Sequence, residues 1–101
     1  MRSRFLALVL ACGSLSGCIG TAFGFSIPVT AADGSVEQIP ATVFKPDGPG
    51  PFSAVVVMHD CSGLGPRSSG APGRWAQELA GRGYFVIIPD SFTTRGHAAG
   101  V

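Results

Sequence analysis

Two continuous apolar runs in the second half of the chain, at 54–58 and 84–88, predict buried strands. The first run is mostly β-branched, as in a central parallel strand that is covered on both faces. Residues 73–82 lie between the runs and predict a helix, because their apolar residues fall on one helical face, namely Trp75, Ala76, Leu79 and Ala80. We expect Trp75 to pack in the core and Gly81 or Gly83 to end the helix.

Residues before this unit have the character of two further strands, at 25–30 and 36–44. The sequence Ala-Asp-Gly-Ser at 32–35 predicts a turn between them. Pro40 favours an edge position for the second strand, because proline cannot donate a hydrogen bond to a neighbouring strand. Segments dense in glycine, proline and serine are predicted to be loops, at 45–51 and 61–72.

The order strand, glycine-rich loop, helix and strand forms a βαβ unit, which implies a parallel sheet with a right-handed crossover. The predicted fold class is therefore α/β, in a chain long enough for one small domain. In open α/β sheets a ligand binds at the carboxyl ends of the strands. The segments 59–65 and 89–96 follow the two apolar strands, so we expect these segments to line any binding site.

The first residues have the pattern of a secretory signal peptide. Arg2 and Arg4 form a basic region, 5–11 is a short apolar run, and small residues follow. That run is far shorter than the roughly 20 apolar residues that span a bilayer. A buried N-terminal helix is the alternative, but Gly13 and Gly17 would weaken its interior.

The sequence Leu-Ser-Gly-Cys at 15–18 resembles a bacterial lipobox, at which a lipoprotein signal is cleaved and the new N-terminal cysteine is acylated. Cys18 is therefore the predicted lipidation site, and cleavage further along the chain is the alternative. The expected organisation is a signal peptide at 1–17, a linker or first strand at 18–30 and a domain at 31–101. We expect a protein of the bacterial cell envelope, either lipid-anchored through Cys18 or periplasmic or secreted, with the anchor as its only membrane contact.

Charge and cysteine content exclude two classes of function. The formal net charge is +1 and charged residues make up 13% of the chain, so no basic surface exists to attract nucleic acid. After removal of the leader, Cys61 is the one thiol of the domain, and no internal disulfide can form. The chain has no C-x-x-C motif and no cluster of cysteine and histidine, so the sequence predicts no metal site and no cofactor.

Residues 51–96 resemble the N-terminal part of a dienelactone hydrolase family protein, an α/β-hydrolase. Three features carry the resemblance: the strand end His-Asp-Cys-Ser-Gly at 59–63, the helix Arg-Trp-Ala-Gln-Glu-Leu-Ala at 74–80 followed by Arg-Gly-Tyr at 82–84, and the strand end Pro-Asp-Ser-Phe at 89–92 with Arg-Gly at 95–96. The resemblance implies the N-terminal part of an α/β-hydrolase parallel sheet. It also implies hydrolysis of an ester or lactone bond in a small molecule, without a cofactor.

The resemblance further implies roles for individual residues. The backbone N–H of Cys61 matches a donor of the family's oxyanion hole. Asp60 matches an acidic position that supports the site by contacting the nucleophile in some members, and a local Asx turn is the alternative. His59 is expected to line the site as a substrate-binding residue or to support its loop. Adjacent strand residues point to opposite faces, so residues 59–61 cannot converge into a triad. Arg95 matches a position that holds a substrate carboxylate, with a solvated loop arginine as the alternative.

The nucleophile that this reaction needs is missing from the sequence. In α/β-hydrolases the nucleophile lies on a G-x-S-x-G elbow or its cysteine equivalent after the next strand, and the acid and histidine follow it. No such motif occurs in the 101 residues. We therefore expect a hydrolase truncated before the elbow and inactive by itself. Two alternatives stay open, a non-catalytic envelope protein that binds a small ligand with the same fold and an inactive fragment.

Overall fold

The computed structural model describes residues 21–101, which form one sheet with a helix packed on it. In chain order the elements are β1 (Thr21–Thr30), β2 (Val36–Lys45), β3 (Ala54–Val56), α1 (Ala71–Gly81), β4 (Phe85–Pro89) and a single 3₁₀ turn (Thr93–Arg95). The predicted signal peptide at 1–17 and the predicted lipidation site Cys18 lie outside the described residues. Within the described part, no helix has the length and apolar character needed to cross a bilayer.

The predicted βαβ unit is present. Strands β3 and β4 are parallel neighbours, and α1 connects them. The helix begins at Ala71 rather than at residue 73, because Pro72 occupies one of the first helical positions, where a missing N–H costs nothing. Strand β3 is shorter than the predicted 54–58, although the Val57 N–H still donates to the Ile87 carbonyl at 2.9 Å.

The other half of the sheet is antiparallel, so the sheet is mixed rather than parallel throughout. The strand order is β1-β2-β4-β3, and β2 runs antiparallel to both of its neighbours. A short turn joins β1 to β2, and strands joined so closely pair antiparallel. In that turn Gly34 has a φ of 83° and the Asp33 carboxylate accepts the Ser35 N–H at 2.9 Å. Strand β1 begins at Thr21, earlier than predicted, because its pairing with β2 continues as far as Lys45.

The edge position predicted from Pro40 is wrong, because β2 lies between β1 and β4. The pairing of β2 with β4 runs from Ala41 to Phe44, so Pro40 lies just beyond the end of that ladder. Its carbonyl oxygen faces β4 and accepts the Asp90 N–H at 2.7 Å. Because the N–H and C=O of one strand residue point to the same neighbour, the proline removes a donor only at the end of the ladder.

One part of the core lies between α1 and the sheet, and β2 adds the buried side chains of Ile39, Ala41 and Val43. Ala76 and Val86 are fully buried and Ile88 is 3% exposed, with partly buried apolar side chains around them, namely Phe44, Val57, Leu64 and Leu79. The helix presents the small side chains of Ala76 and Ala80 to the sheet, which lets its backbone approach β4 closely. Beyond the helix, Gly83 has a φ of 94° and its N–H donates to the Ala80 carbonyl, so this glycine ends the helix as predicted.

Trp75 does not pack in the core as predicted. Its side chain is 62% exposed. Successive residues of a helix are rotated by about 100°, and Ala76 is the residue that faces the sheet. Trp75 is therefore turned to the side of the helix, towards solvent.

The opposite face of the sheet carries an apolar groove, which we call the sheet groove, of about 190 Å³. It is lined by Phe23, Phe25, Val43, Phe85 and Ile87. Phe23 is 42% exposed and Phe25 is 52% exposed. Among residues 21–101 no helix covers this face, since α1 packs on the other one.

Candidate active site at the carboxyl ends of β3 and β4

His59 ties together the loops that follow β3 and β4. Its Nε2 atom accepts the Ser91 backbone N–H at 3.2 Å and lies 2.9 Å from the Ser91 hydroxyl. Its Nδ1 atom lies 2.9 Å from the Asp60 carbonyl oxygen. The ring also meets Phe92 edge to face, with 4.5 Å between ring centroids. His59 thus links the two strand ends through its side chain.

The contacts of His59 define its protonation state. A backbone N–H can only donate, so the Nε2 that accepts the Ser91 N–H carries no proton. A carbonyl oxygen can only accept, so the Nδ1 that faces Asp60 carries the proton. The imidazole is therefore neutral, with its lone pair directed at Ser91.

Asp60 forms an Asx turn in the loop after β3. Its Oδ1 atom accepts the Ser62 N–H at 2.9 Å and also the Ser62 hydroxyl, and its carbonyl accepts the Gly63 N–H at 3.0 Å. The hydrogen bond from the Ser62 hydroxyl, followed by that from the Ser62 N–H, holds the pKa of Asp60 below its usual value. The carboxylate therefore stays charged and keeps the loop folded. Contact of Asp60 with a nucleophile stays a prediction.

Cys61 has an exposed side chain and a backbone N–H that donates no hydrogen bond to residues 21–101. Its carbonyl oxygen accepts the Val101 N–H at 2.9 Å. The terminal segment lies directly against this loop, because a Cβ atom added at Gly100 would lie 2.6 Å from the Cys61 carbonyl oxygen. The loop is therefore held on both sides, while the Cys61 N–H stays open to an acceptor from outside the described residues.

Asp90 folds the loop after β4 in the same way as Asp60 folds the loop after β3. Its carboxylate accepts the backbone N–H groups of Phe92 at 3.1 Å and Thr93 at 3.0 Å, and also the Thr93 hydroxyl. Burial acts to raise the pKa of Asp90, but the hydrogen bonds from Thr93 and Phe92 outweigh it and leave the pKa below its usual value. These bonds start the 3₁₀ turn that carries Arg95.

Arg95 is paired with Glu37 of β2. Its Nε lies 3.2 Å from each carboxylate oxygen of Glu37, and its Nη2 lies 3.1 Å from Oε2. Thr94 adds a hydrogen bond from its hydroxyl to Oε1 at 3.0 Å. The Arg95 side chain is about half exposed, so its guanidinium can also meet a ligand from solvent. The hydrogen bond from Arg95, then that from Thr94, lowers the pKa of Glu37 from its usual value.

The model of the dienelactone hydrolase family matches residues 39–99, more than half of the chain. This chain belongs to the dienelactone hydrolase family. The match begins inside β2 and includes α1, β4 and both strand-end loops, so most residues of the candidate site lie within it. Glu37, which pairs with Arg95, and Val101, which binds the Cys61 carbonyl, lie outside it. No curated protein and no solved structure matches the chain. Membership of this family gives the chain the coarse description of a hydrolase that acts on small molecules.

The four site residues predicted in the domain lie on two loops of this dienelactone hydrolase family chain. His59, Asp60 and Cys61 follow β3, and Arg95 follows β4. The two loops are joined through His59 and Ser91. Within residues 21–101 no group of histidine, cysteine, aspartate or glutamate is arranged to hold a metal ion.

The sequence does not predict the side-chain partners of His59 and Arg95. Ser91 meets His59 across 32 positions of the chain, and Glu37 meets Arg95 across 58. Neither distance leaves a local signal in the sequence. The contact of Glu37 with Arg95 follows from the pairing of β2 with β4. An edge position predicted from Pro40 does not say which strand lies next to β2.

Proposed function

We propose that this chain supplies the oxyanion donor and a substrate-binding arginine of an ester or lactone hydrolase. The observation that carries the proposal is the open backbone N–H of Cys61 in a loop held by Asp60, His59 and Val101. A fixed N–H at the carboxyl end of a parallel strand is suited to bind the negative charge that develops on a carbonyl oxygen. Family membership supports the same class of reaction.

The chain's own residues would act in the following way. The carbonyl oxygen of the ester or lactone accepts the Cys61 N–H, and this bond strengthens as a nucleophile attacks and the oxygen becomes an anion. Asp60 and His59 hold the loop so that the N–H does not have to reorganise. The attacking nucleophile is not assigned, because the 101 residues contain no elbow motif. The proposal includes a nucleophile, an acid and a catalytic histidine supplied by residues other than these 101.

Arg95 selects the substrate in this proposal. A guanidinium binds a carboxylate through two parallel hydrogen bonds, and Arg95 already binds the Glu37 carboxylate in this way, with Nε donating to Oε1 and Nη2 to Oε2. A substrate carboxylate of the same shape would share or replace Glu37 at the half-exposed guanidinium. The preferred substrate would therefore be a small ester or lactone that carries a carboxylate.

The test compares a carboxylate-bearing unsaturated lactone with its methyl ester, using the protein made from the whole reading frame. Arg95→Ala should raise KM for the carboxylate substrate about tenfold or more and leave KM for the methyl ester unchanged, because only the former offers the charge. Arg82→Ala is the matched control, since Arg82 pairs with Glu78 on the exposed side of α1. Equal effects of Arg95→Ala on both substrates would refute the role of Arg95.

A second candidate is a non-catalytic protein that binds a small carboxylate with the same fold. The Arg95 guanidinium favours it, because it is about half exposed and binding of a carboxylate needs no nucleophile. It predicts saturable binding of the carboxylate substrate with no turnover by the whole product. Turnover at any rate above that of a protein-free blank would reject it.

Anchoring at Cys18 is part of the proposal. Acylation of this cysteine would keep the protein in the cell envelope, facing a periplasmic or external substrate. Mass spectrometry of the mature N-terminus should find a lipid-modified Cys18, and Cys18→Ser should release the protein from membranes or block processing. A mature chain that starts further on, without lipid, would reject the anchor.

A further inference from the structure

Among the serines in residues 21–101, Ser91 is the one whose hydroxyl contacts an imidazole ring. Its Oγ lies 2.9 Å from His59 Nε2. The hydroxyls of the other serines in hydrogen bonds meet carboxylate, amide or backbone groups, namely Ser26, Ser35, Ser62, Ser68 and Ser69. The Cys61 oxyanion donor and the Arg95 carboxylate contact make no use of the Ser91 hydroxyl.

The direction of the hydrogen bond follows from the partners of His59. Nε2 carries no proton because it accepts the Ser91 backbone N–H. The proton between Ser91 Oγ and Nε2 therefore belongs to the hydroxyl, which donates to the imidazole. A serine hydroxyl that donates to the unprotonated nitrogen of a neutral histidine is the arrangement of an activated nucleophile and its general base.

The imidazole is also oriented from its other side. Nδ1–H donates to the Asp60 carbonyl oxygen at 2.9 Å, and Phe92 packs against the ring. The carbonyl takes the position that a carboxylate has in a serine–histidine–aspartate triad, since it fixes the tautomer and the ring plane. The described residues thus place a nucleophile, a base and an orienting group in consecutive contact.

We propose that Ser91 is a nucleophilic serine, with His59 as its base, that reacts with small activated acyl or phosphonyl compounds. With a fluorophosphonate, Oγ forms a bond to phosphorus while its proton passes to Nε2, and the phosphorus–fluorine bond breaks to release fluoride. Protonated Nε2 can no longer accept the Ser91 backbone N–H. That N–H becomes free as a donor beside the attacked atom, where the charge develops. The imidazolium then returns its proton to solvent.

The reaction is tested by labelling with a biotinylated alkyl fluorophosphonate, followed by digestion and mass spectrometry of the labelled peptides. The protein from the whole reading frame is used, with its fold checked by circular dichroism. Mapping the label distinguishes Ser91 from any nucleophile elsewhere in the protein. The result therefore tests Ser91 independently of the ester hydrolase proposal. The label is expected on Ser91, and Ser91→Ala should abolish labelling of that peptide.

The decisive variant is His59→Gln. A glutamine carbonyl can still accept the Ser91 N–H and hold the two loops together, but it cannot take a proton. The labelling rate at Ser91 should fall about 100-fold, the scale of general base catalysis. Ser68→Ala is the matched control, because Ser68 is half-buried like Ser91 but its hydroxyl meets only a backbone N–H, and labelling of Ser91 should not change. Absence of label from Ser91 in the folded protein, or an unchanged rate in His59→Gln, would overturn the proposal.

Discussion

Two aspartates occupy equivalent places after the parallel strands. Asp60 and Asp90 each follow a strand end, and each carboxylate accepts the backbone N–H two residues further on, from Ser62 and Phe92. Short polar side chains of this kind fold a loop without help from the core. The candidate site is therefore held by local hydrogen bonds, with His59 as the link between its two halves.

These bonds make the stability of the protein depend on pH at Asp90. Its pKa is lowered in the fold, so the charged carboxylate stabilises the protein fully above the ordinary aspartate pKa of about 3.9, and the effect is lost as the pH falls through the lower folded value. Asp90→Asn should cost about 1 kcal/mol at pH 7, and the difference from the wild type should shrink below about pH 4. Urea unfolding at several pH values measures it.

Asp47→Asn is the control for that series. Asp47 is an exposed loop residue with no hydrogen bond of its side chain among residues 21–101. Its replacement should change the free energy of unfolding by less than about 0.5 kcal/mol. A loss in Asp90→Asn that persists unchanged to pH 2 would show that the carboxylate charge is not the cause.

At the scale of elements, the unit β3-α1-β4 holds the site, and it is also the part that the sequence predicts best. Its strands are continuous apolar runs and its helix has one apolar face, so each element carries its own local signal. The fully buried part of the packing surface is small, however, and consists of Ala76 against Val86 and Ile88, with partly buried apolar side chains around it, namely Phe44, Val57, Leu64 and Leu79. Close approach of the helix backbone to β4 depends on the small side chain of Ala76.

A larger side chain at Ala76 should therefore separate the helix from the sheet. Ala76→Leu is expected to destabilise the protein by about 1–3 kcal/mol, the usual cost of overpacking. Gln77→Leu is the matched control, because residue 77 is exposed on the same helix and receives the same side chain. Urea unfolding of both variants checks the difference, and equal stability would show that α1 does not pack through Ala76.

What the sequence did not predict depends on contacts between distant residues. The antiparallel pairing of β2 with β4, the interior position of Pro40 and the pair of Arg95 with Glu37 all follow from the placing of β2 next to β4. Nothing local specifies that neighbour. Trp75 was misplaced for a related reason, since a helical stripe shows which residues share a side but not which of them meets the sheet.

At the scale of the whole molecule, the two faces of the sheet differ. One face is covered by α1, and the other exposes the sheet groove with its two half-exposed phenylalanines, Phe23 and Phe25. Exposed apolar surface of this kind promotes association. In the sheet formed by residues 21–101, β3 also lies at an edge, where backbone groups without a partner in this range can pair with another chain.

Residues 19–101 expressed by themselves should therefore aggregate or stay partly unfolded. Phe25→Ser should reduce aggregation, whereas Trp75→Ser, which removes an equally exposed aromatic residue outside the sheet groove, should change it less. Size-exclusion chromatography with thermal unfolding measures both. A soluble monomer with one sharp two-state transition would contradict the prediction.

The proposed hydrolysis depends most directly on the Cys61 backbone N–H. Measurement of kcat for ester hydrolysis by two variants of the protein from the whole reading frame tests this dependence. Cys61→Ala keeps the N–H and should keep most of kcat. Cys61→Pro removes the donor and should lower kcat about 100-fold or more, with thermal unfolding confirming that the variant folds. A Cys61→Ala variant without activity would mean that the thiol itself performs the chemistry, and a folded, fully active Cys61→Pro variant would mean that this loop binds no oxyanion.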